Sequence, residues 1–216
     1  MPNWCYNHLE VSSWNSYSLP EEYRELKDGS RKKCDYDMEV ENRKEDAEIQ
    51  MKQFIKDNII DGVFKFSHLA PLPKELENII TGGYTDDNGV QHREWREVDG
   101  NKIPMTKLEK DQLIRKYGHD NWYDWNIANY GTKWDVEVGA EIVEDDEVDI
   151  NFETAWSPPF QWLEKATEKY PLLTFKMKYD EEAEQFMGVA VARNGILYEN
   201  IVDVNYPRAK EITLGD

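Results

Sequence analysis

The chain has 216 residues and a formal net charge of −18, from 44 acidic and 26 basic side chains. This excess of acid disfavours non-specific binding to nucleic acid, which needs clustered lysine and arginine on one surface. The sequence has no apolar run of membrane-spanning length, no signal-peptide pattern and only two cysteines, so it predicts a cytoplasmic protein without a disulfide framework.

The first predicted element is a strand over residues 3–13, because apolar and polar side chains alternate there. One face carries Cys5, Asn7, Leu9 and Val11, and the other carries Trp4, Tyr6, His8 and Glu10. Asn7 is then a polar residue among core positions, and its burial requires hydrogen-bond partners.

Residues 14–44 are polar and are predicted to form a long surface connection, followed by a helix over 45–60. Residues 63–131 are predicted to be a largely helical insertion, with turns at "TGGYTDDNGV" and helices at "KLEKDQLIRKYG" and "NWYDWNIANYG". Asn121 is the predicted N-cap of the last of these helices, and Gly131 is its predicted end.

From Lys133 the period changes to two, which predicts a hairpin of strands over 133–142 and 148–154. Ser157 is the predicted N-cap of a helix over 158–170, and a strand follows at 173–179. Asn194-Gly195 is the strongest signal for a two-residue turn, so residues 185–202 are predicted to form an added hairpin.

This order of elements predicts an α+β fold. It is the ferredoxin-like split βαβ plan, with an antiparallel sheet, the insertion at 63–131 and the C-terminal β-hairpin. We expect one domain over residues 1–216. In this plan the strand at 3–13 is central, between 148–154 and 172–179, and both main helices cover one face of the sheet.

The opposite face of the sheet is a candidate binding surface. Residues 134–155 contain nine carboxylates, and like charges on paired strands repel unless something compensates them. Three explanations stay open: solvation with pairing to Lys176 and Lys178, a divalent cation, or a basic protein partner. The candidate binding residues are Trp4, Tyr6, His8, Asp135, Glu137, Asp149 and Glu153.

Four blocks, "MPNWCYNHLEV", "LAPLPKEL", "WYDWNIANYGTKWD" and "FETAWSPP", resemble the YubB-type family of phage and plasmid proteins of unknown function. That family opens with Met-Pro-Asn-Trp-Cys and has Gly-Thr-Lys-Trp and aromatic-Ser-Pro-Pro blocks. Tyr130 is a departure, because a larger aromatic is expected before the glycine. The resemblance implies a ferredoxin-like domain of mobile-element origin in a bacterial host, and it implies no activity.

The residues that distinguish these blocks are predicted to form a structural cluster joining the insertion to the sheet. They are Asn7, Trp125, Lys133, Trp134 and Trp156. Cys5 and His8 have the side chains of metal ligands but lie on opposite faces of one strand, so no metal site is predicted. No cofactor motif and no nucleophile motif occurs either.

We therefore expect an acidic interaction protein that binds a protein partner of basic character, with inhibition of a host factor as one form of that function. Direct nucleic-acid binding and membrane association are not expected. Two alternatives stay open: a divalent-metal-dependent enzyme acting on nucleic acid or a nucleotide, and a ferredoxin-like nucleic-acid-binding module. We lean against an enzyme.

Overall fold

The computed structural model describes residues 3–13, 36–144, 147–183 and 186–203, without side-chain detail for 36–44, 144 and 198–203. The main sheet is antiparallel and has eight strands in the order β11-β10-β9-β1-β8-β7-β3-β2. Its strands are β1 (Trp4–Ser13), β2 (Ile59–Ile60), β3 (Val63–Phe64), β7 (Val138–Glu144), β8 (Glu147–Ala155), β9 (Leu173–Glu181), β10 (Phe186–Arg193) and β11 (Ile196–Asp203).

The first strand is central, as the sequence predicted. β1 pairs with β8 on one side and with β9 on the other, so that Leu9 lies opposite both Ile150 and Met177. These three residues are fully buried. The core therefore lies on this face, where burial of such apolar side chains contributes about 25 cal/mol for each Å² of apolar surface removed from water.

Two helices cover the buried face. They are α1 (Tyr36–Asn58) and α6 (Phe160–Lys169). Phe175 of β9 contacts Phe54 of α1 at 5.7 Å between ring centroids and Trp162 of α6 at 6.5 Å. Because one sheet residue touches both helices, the helices lie on the same face, and the predicted ferredoxin-like arrangement is confirmed.

The added C-terminal hairpin is also confirmed. β10 and β11 pair in antiparallel register around Asn194-Gly195. Both turn residues have positive φ, at 50° and 71°, as a two-residue turn of this hand requires. The hairpin extends the main sheet next to β9.

The insertion is a mixture of helices and strands, which corrects the prediction of a largely helical segment. Its helices are α2 (Phe66–Leu69), α3 (Lys74–Glu77), α4 (Lys107–Tyr117) and α5 (Trp122–Tyr130), and its separate three-stranded sheet consists of β4 (Ile79–Thr85), β5 (Gln91–Val98) and β6 (Asn101–Pro104). Within these strands the buried residues are Ile79 of β4 and Trp95 of β5, so the strands lack the alternation of a strand that covers a core. Asp99-Gly100, with φ of 51° and 76°, joins β5 to β6 and is a turn signal that the prediction missed.

Three predicted boundaries need correction. The backbone of α1 begins at Tyr36, so part of the predicted surface connection is helical, and residues 14–35 lie outside the described residues. β7 begins at Val138 rather than at Lys133. The N-cap of α6 is Pro159, because the Ser157 hydroxyl donates instead to the carbonyl oxygen of Gly131 at 2.7 Å.

Candidate functional site: the open face of the sheet

The face of the main sheet opposite α1 and α6 carries the candidate site. Along β1 the outward side chains alternate with the core residues, and Trp4 and Tyr6 are 41% and 51% exposed. Large aromatic side chains at such exposure keep apolar surface in contact with water. Trp4 and Tyr6 are therefore candidates for contact with a partner.

Charges in the middle of this face are partly paired across the strands. The Lys176 ammonium lies 3.3 Å from a Glu10 carboxylate oxygen, and His8 Nε2 lies 3.3 Å from Asp149 Oδ1. In the register of the sheet, His8 lies opposite Asn151 of β8 and Lys178 of β9. The partner of Lys176 in this pair lies on β1, so the pair does not itself compensate the carboxylates of residues 134–155.

Three tryptophans form a row at the start of β1, which we call the tryptophan row: Trp4, Trp134 and Trp156. The ring centroids of Trp4 and Trp134 are 5.9 Å apart, and those of Trp134 and Trp156 are 6.5 Å apart with an interplanar angle of 24°. Trp134 and Trp156 are 38% and 40% exposed. The row is therefore a half-exposed aromatic surface rather than a buried contact.

Lys133 lies against the tryptophan row. Its Nζ is 4.5 Å from the ring centroid of Trp134 and 5.3 Å from that of Trp156, and Tyr123 is at 5.9 Å. These distances are those of cation–π contacts. The ammonium has no carboxylate within ion-pair distance in the described part of the chain, so the rings are its neighbours.

A buried set of hydrogen bonds fixes the backbone beneath the row, and we call it the junction. Thr132 Oγ1 donates to the carbonyl oxygen of Ala155 at 3.0 Å and accepts from the Ala155 amide at 3.1 Å. The Thr154 hydroxyl donates to the carbonyl oxygen of Ser157 at 2.8 Å. With the bond from Ser157 to Gly131, the junction joins the segment before β7 to the end of β8.

Asn7 connects the junction to the central strand. Its Nδ2 donates to Thr154 Oγ1 at 2.9 Å and to the carbonyl oxygen of Cys5 at 2.9 Å. The amide is 4% exposed, and these bonds satisfy its burial as the sequence required. Nearby, burial raises the pKa of the Cys5 thiol from its usual value of 9.0 to about 12, so this cysteine is not a nucleophile at neutral pH.

The backbone of Trp156 is strained. Its φ is 69°, in the left-handed region that bulky residues rarely adopt. The Trp156 amide donates to the carbonyl oxygen of Asn3 at 2.9 Å, which ties this conformation to the start of β1. Such conformations cost of the order of 1–3 kcal/mol and concentrate at functional sites.

Two adjoining grooves run over the open face. The central groove, about 510 Å³, is lined by residues that include Tyr6, His8, Lys178 and Asp180. The acidic groove, about 440 Å³, is lined by Trp4, Trp134, Asp135, Val136, Glu137, Val138, Asn151, Phe152, Glu153, Thr154 and Ala155. Its charged lining residues are all carboxylates. Glu153 lines both grooves.

The predicted carboxylates have different surroundings. Asp135 accepts from the amides of Phe66 and Ser67 at the start of α2, at 2.7 and 3.3 Å, which is an N-terminal capping role. The Glu137 carboxylate accepts from Lys65 at 2.8 Å, and this hydrogen bond lowers the pKa of Glu137. Glu153 has no hydrogen bond or ion pair to another described residue.

The five residues of the predicted structural cluster are not all brought together. Trp125 packs edge-on against Tyr130 in the core, at 5.5 Å between centroids and 8% exposed. Lys133, Trp134 and Trp156 lie together at the surface, and Asn7 reaches them only through the junction. The sequence missed Thr132, Thr154 and Ser157; small hydroxyl residues beside each tryptophan block were the available signal.

Among the residues that the structure describes, no three His, Cys, Asp or Glu side chains are grouped as metal ligands would be. None of the described helices is long and apolar enough to cross a membrane.

Residues 124–209 match a family model described as a ferredoxin-like domain in Api92-like protein. This range runs from α5 beyond β11 and includes Lys133, Trp134 and Trp156, and its ferredoxin-like description agrees with the fold of the main sheet. It is also similar to the crystal structure of a protein api92 from Yersinia pseudotuberculosis, at 10% identity over 94% of this chain and 98% of that chain, with a TM-score of 0.41. No curated protein matches the chain.

Proposed function

We propose that this protein is a non-enzymatic interaction protein of a phage or plasmid, and that the open face of its sheet binds a protein partner of basic character in the cytoplasm of a bacterial host. The observation that carries this function is the half-exposed tryptophan row beside the acidic groove. The mobile-element origin is supported by the resemblance of the four sequence blocks.

The composition of this face favours a protein partner. Tryptophan and tyrosine are enriched among the residues that contribute most to protein–protein binding, because they combine a large apolar area with few rotatable bonds. The row consists of three such residues, and Tyr6 adds a fourth on the same face. The hydrogen bonds of the junction already fix the backbone beneath the row, so the row loses little further backbone entropy when a partner binds.

The charge of the chain favours a basic partner. A net charge of −18 raises the local concentration of cationic surfaces and speeds their association. A host protein whose basic groove binds nucleic acid fits this description, because carboxylates can occupy the positions of phosphates. Inhibition of such a host factor follows if the two ligands compete.

The experiment is capture of partners from a bacterial lysate by the parent chain and by three variants. Trp4→Ser and Trp134→Ser remove parts of the row, and Leu108→Ser is the control, since Leu108 is an exposed apolar residue of α4 in the insertion. We expect the parent and the control to retain a basic protein that both tryptophan variants lose. Titration calorimetry should then show binding of the purified partner to the parent chain, and duplex DNA should compete with the chain for that partner.

Two outcomes contradict this function. One is capture that is unaffected by both tryptophan substitutions. The other is retardation of a generic single-stranded oligonucleotide by the purified chain below micromolar concentration at moderate salt, because the acidic charge is expected to prevent it.

A further inference from the structure

The two grooves of the open face differ in charge. The central groove contains Lys178, whose ammonium opposes the approach of a second cation. Among the described residues, the acidic groove is lined by three carboxylates and by no basic side chain, and the ammonium of Lys133 lies beside it, against Trp134. A cationic group of a partner is therefore favoured in the acidic groove.

Within the acidic groove, one carboxylate has no bonding partner among the residues that the structure describes. Asp135 is engaged by the amides at the start of α2, and Glu137 is engaged by Lys65. Glu153 is exposed and makes no hydrogen bond or ion pair with the other described residues. Neither of its oxygens is bonded within the described part of the chain.

The position of Glu153 is fixed by the register of the sheet. It lies directly opposite Tyr6 on β1, and Trp4 lies opposite Ala155, two residues along β8. Side chains at such direct and diagonal positions on one face approach within contact distance of long aromatic groups. The carboxylate is thus flanked by Tyr6 and Trp4, and Trp134 follows Trp4 in the row.

We propose that the acidic groove is an arginine-binding site, in which the guanidinium of a partner side chain pairs with Glu153 and stacks on the aromatic ring of Trp4, because Trp134 already carries the ammonium of Lys133. A carboxylate presents two oxygens that match the planar fork of a guanidinium, and indole rings attract its face. An ammonium matches neither feature as well, because it is compact, strongly hydrated and not planar. This site rests on the proposed function and specifies the partner chemistry that the open face recognises.

The probes are N-acetyl-arginine amide, N-acetyl-lysine amide and N-acetyl-citrulline amide, which separate planarity from charge. The readout is the NMR shift of the indole Nε1–H signals of Trp4 and Trp134 on titration. We expect saturable millimolar binding of the arginine probe, binding of the lysine probe that is weaker by about threefold or more, and no saturation with neutral citrulline.

Glu153→Gln should weaken binding of the arginine probe by about fivefold, because it removes a charge-assisted pair at a solvent-exposed site. The matched control is Glu164→Gln on α6, an exposed carboxylate on the helix side of the sheet that changes the net charge equally. Equal binding of the arginine and lysine probes, or an unchanged affinity in Glu153→Gln, overturns the arginine site.

These outcomes are separate from those of the lysate experiment. A partner that is captured through Trp4 and Trp134, but whose affinity is unchanged by Glu153→Gln, leaves the interaction function in place and overturns the arginine site. An arginine probe that binds through Glu153, without any partner captured through the row, supports the site and counts against the function.

Discussion

The two faces of the main sheet use the same residue types in opposite ways. On the helix side, Phe54, Trp162 and Phe175 are fully buried, and Phe175 contacts the other two rings edge to face. On the open side, Trp4, Trp134 and Trp156 remain about two-fifths exposed, although their rings are neighbours. Aromatic content alone therefore does not distinguish core from surface here; the position of the covering helices does.

The second lesson of this comparison concerns rigidity. The covered face is held by packing, whereas the open face is held from below by the hydrogen bonds of the junction. Substitutions on the covered face should act on folding, and substitutions in the row should act on binding. The predictions below test this separation, from the largest expected change in stability to the smallest.

Trp162→Ala should have the largest effect. Trp162 is fully buried and contacts the rings of Phe64 at 5.2 Å and Phe66 at 5.5 Å, so its removal leaves a cavity in the core. We expect the free energy of unfolding to fall by about 3–5 kcal/mol, measured by urea denaturation. A loss below about 1 kcal/mol would show that the core between α6 and the sheet is not packed as described.

Gly131→Ala should destabilise the junction by about 1–3 kcal/mol. Gly131 has φ of 85° at the end of α5, and an added Cβ would overlap the Gln161 side chain and lie 3.1 Å from the Phe160 amide nitrogen.

The matched control is Gly118→Ala at the end of α4, where φ is 81° and an added Cβ has open space. Both substitutions strain the backbone equally, so the difference between their melting temperatures isolates the contact with α6. Equal losses would mean that α5 and α6 are not closely joined at Gly131.

The sequence predicted the sheet well because its local signals agree with the fold. The alternation along β1, the central place of that strand and the Asn194-Gly195 turn are all visible without tertiary information. Strands β4–β6 were missed because they bury few residues, with Ile79 buried in β4 and Trp95 in β5, so no buried face alternates along them. A period-two pattern arises only where one face is covered.

The site was predicted only in part, for a tertiary reason. Trp4, Tyr6 and His8 were placed on one face from strand geometry, and they lie there. Trp134 precedes β7, so its position follows from the bonds of Thr132 to Ala155 rather than from alternation. Ser157 was expected to cap α6, but its hydroxyl donates to the carbonyl oxygen of Gly131 instead. Contacts between residues distant in sequence cannot be derived from local pattern.

The covered face also predicts a pH effect through Cys5. Burial raises the pKa of this thiol to about 12, so it stays protonated in the folded chain, whereas the unfolded chain ionises it near its usual value of 9.0. The contribution of the buried Cys5 thiol to the free energy of unfolding is complete below pH 9 and is lost as the pH rises from 9 towards 12.

In a Cys34→Ser background, the unfolding free energy of the parent minus that of Cys5→Ala should therefore decrease over this alkaline range. The folded thiol should also resist a thiol reagent at neutral pH until denaturant is added. A pH-independent difference, or rapid modification of the folded chain, would contradict the buried position of Cys5.

Trp134→Ser should have the smallest effect on stability. In the predicted structural cluster Trp134 would be buried, and truncating a buried tryptophan costs about 3–5 kcal/mol. At 38% exposure, with contacts to Trp4, Trp156 and Lys133, Trp134 loses less apolar burial, and we expect about 1 kcal/mol or less by urea denaturation. Partner binding should nevertheless be lost at temperatures far below the melting transition. If the melting temperature of the variant instead falls as far as that of Trp162→Ala, the row belongs to the folded core. The proposed separation, with folding on the covered face and binding on the open face, would then be wrong.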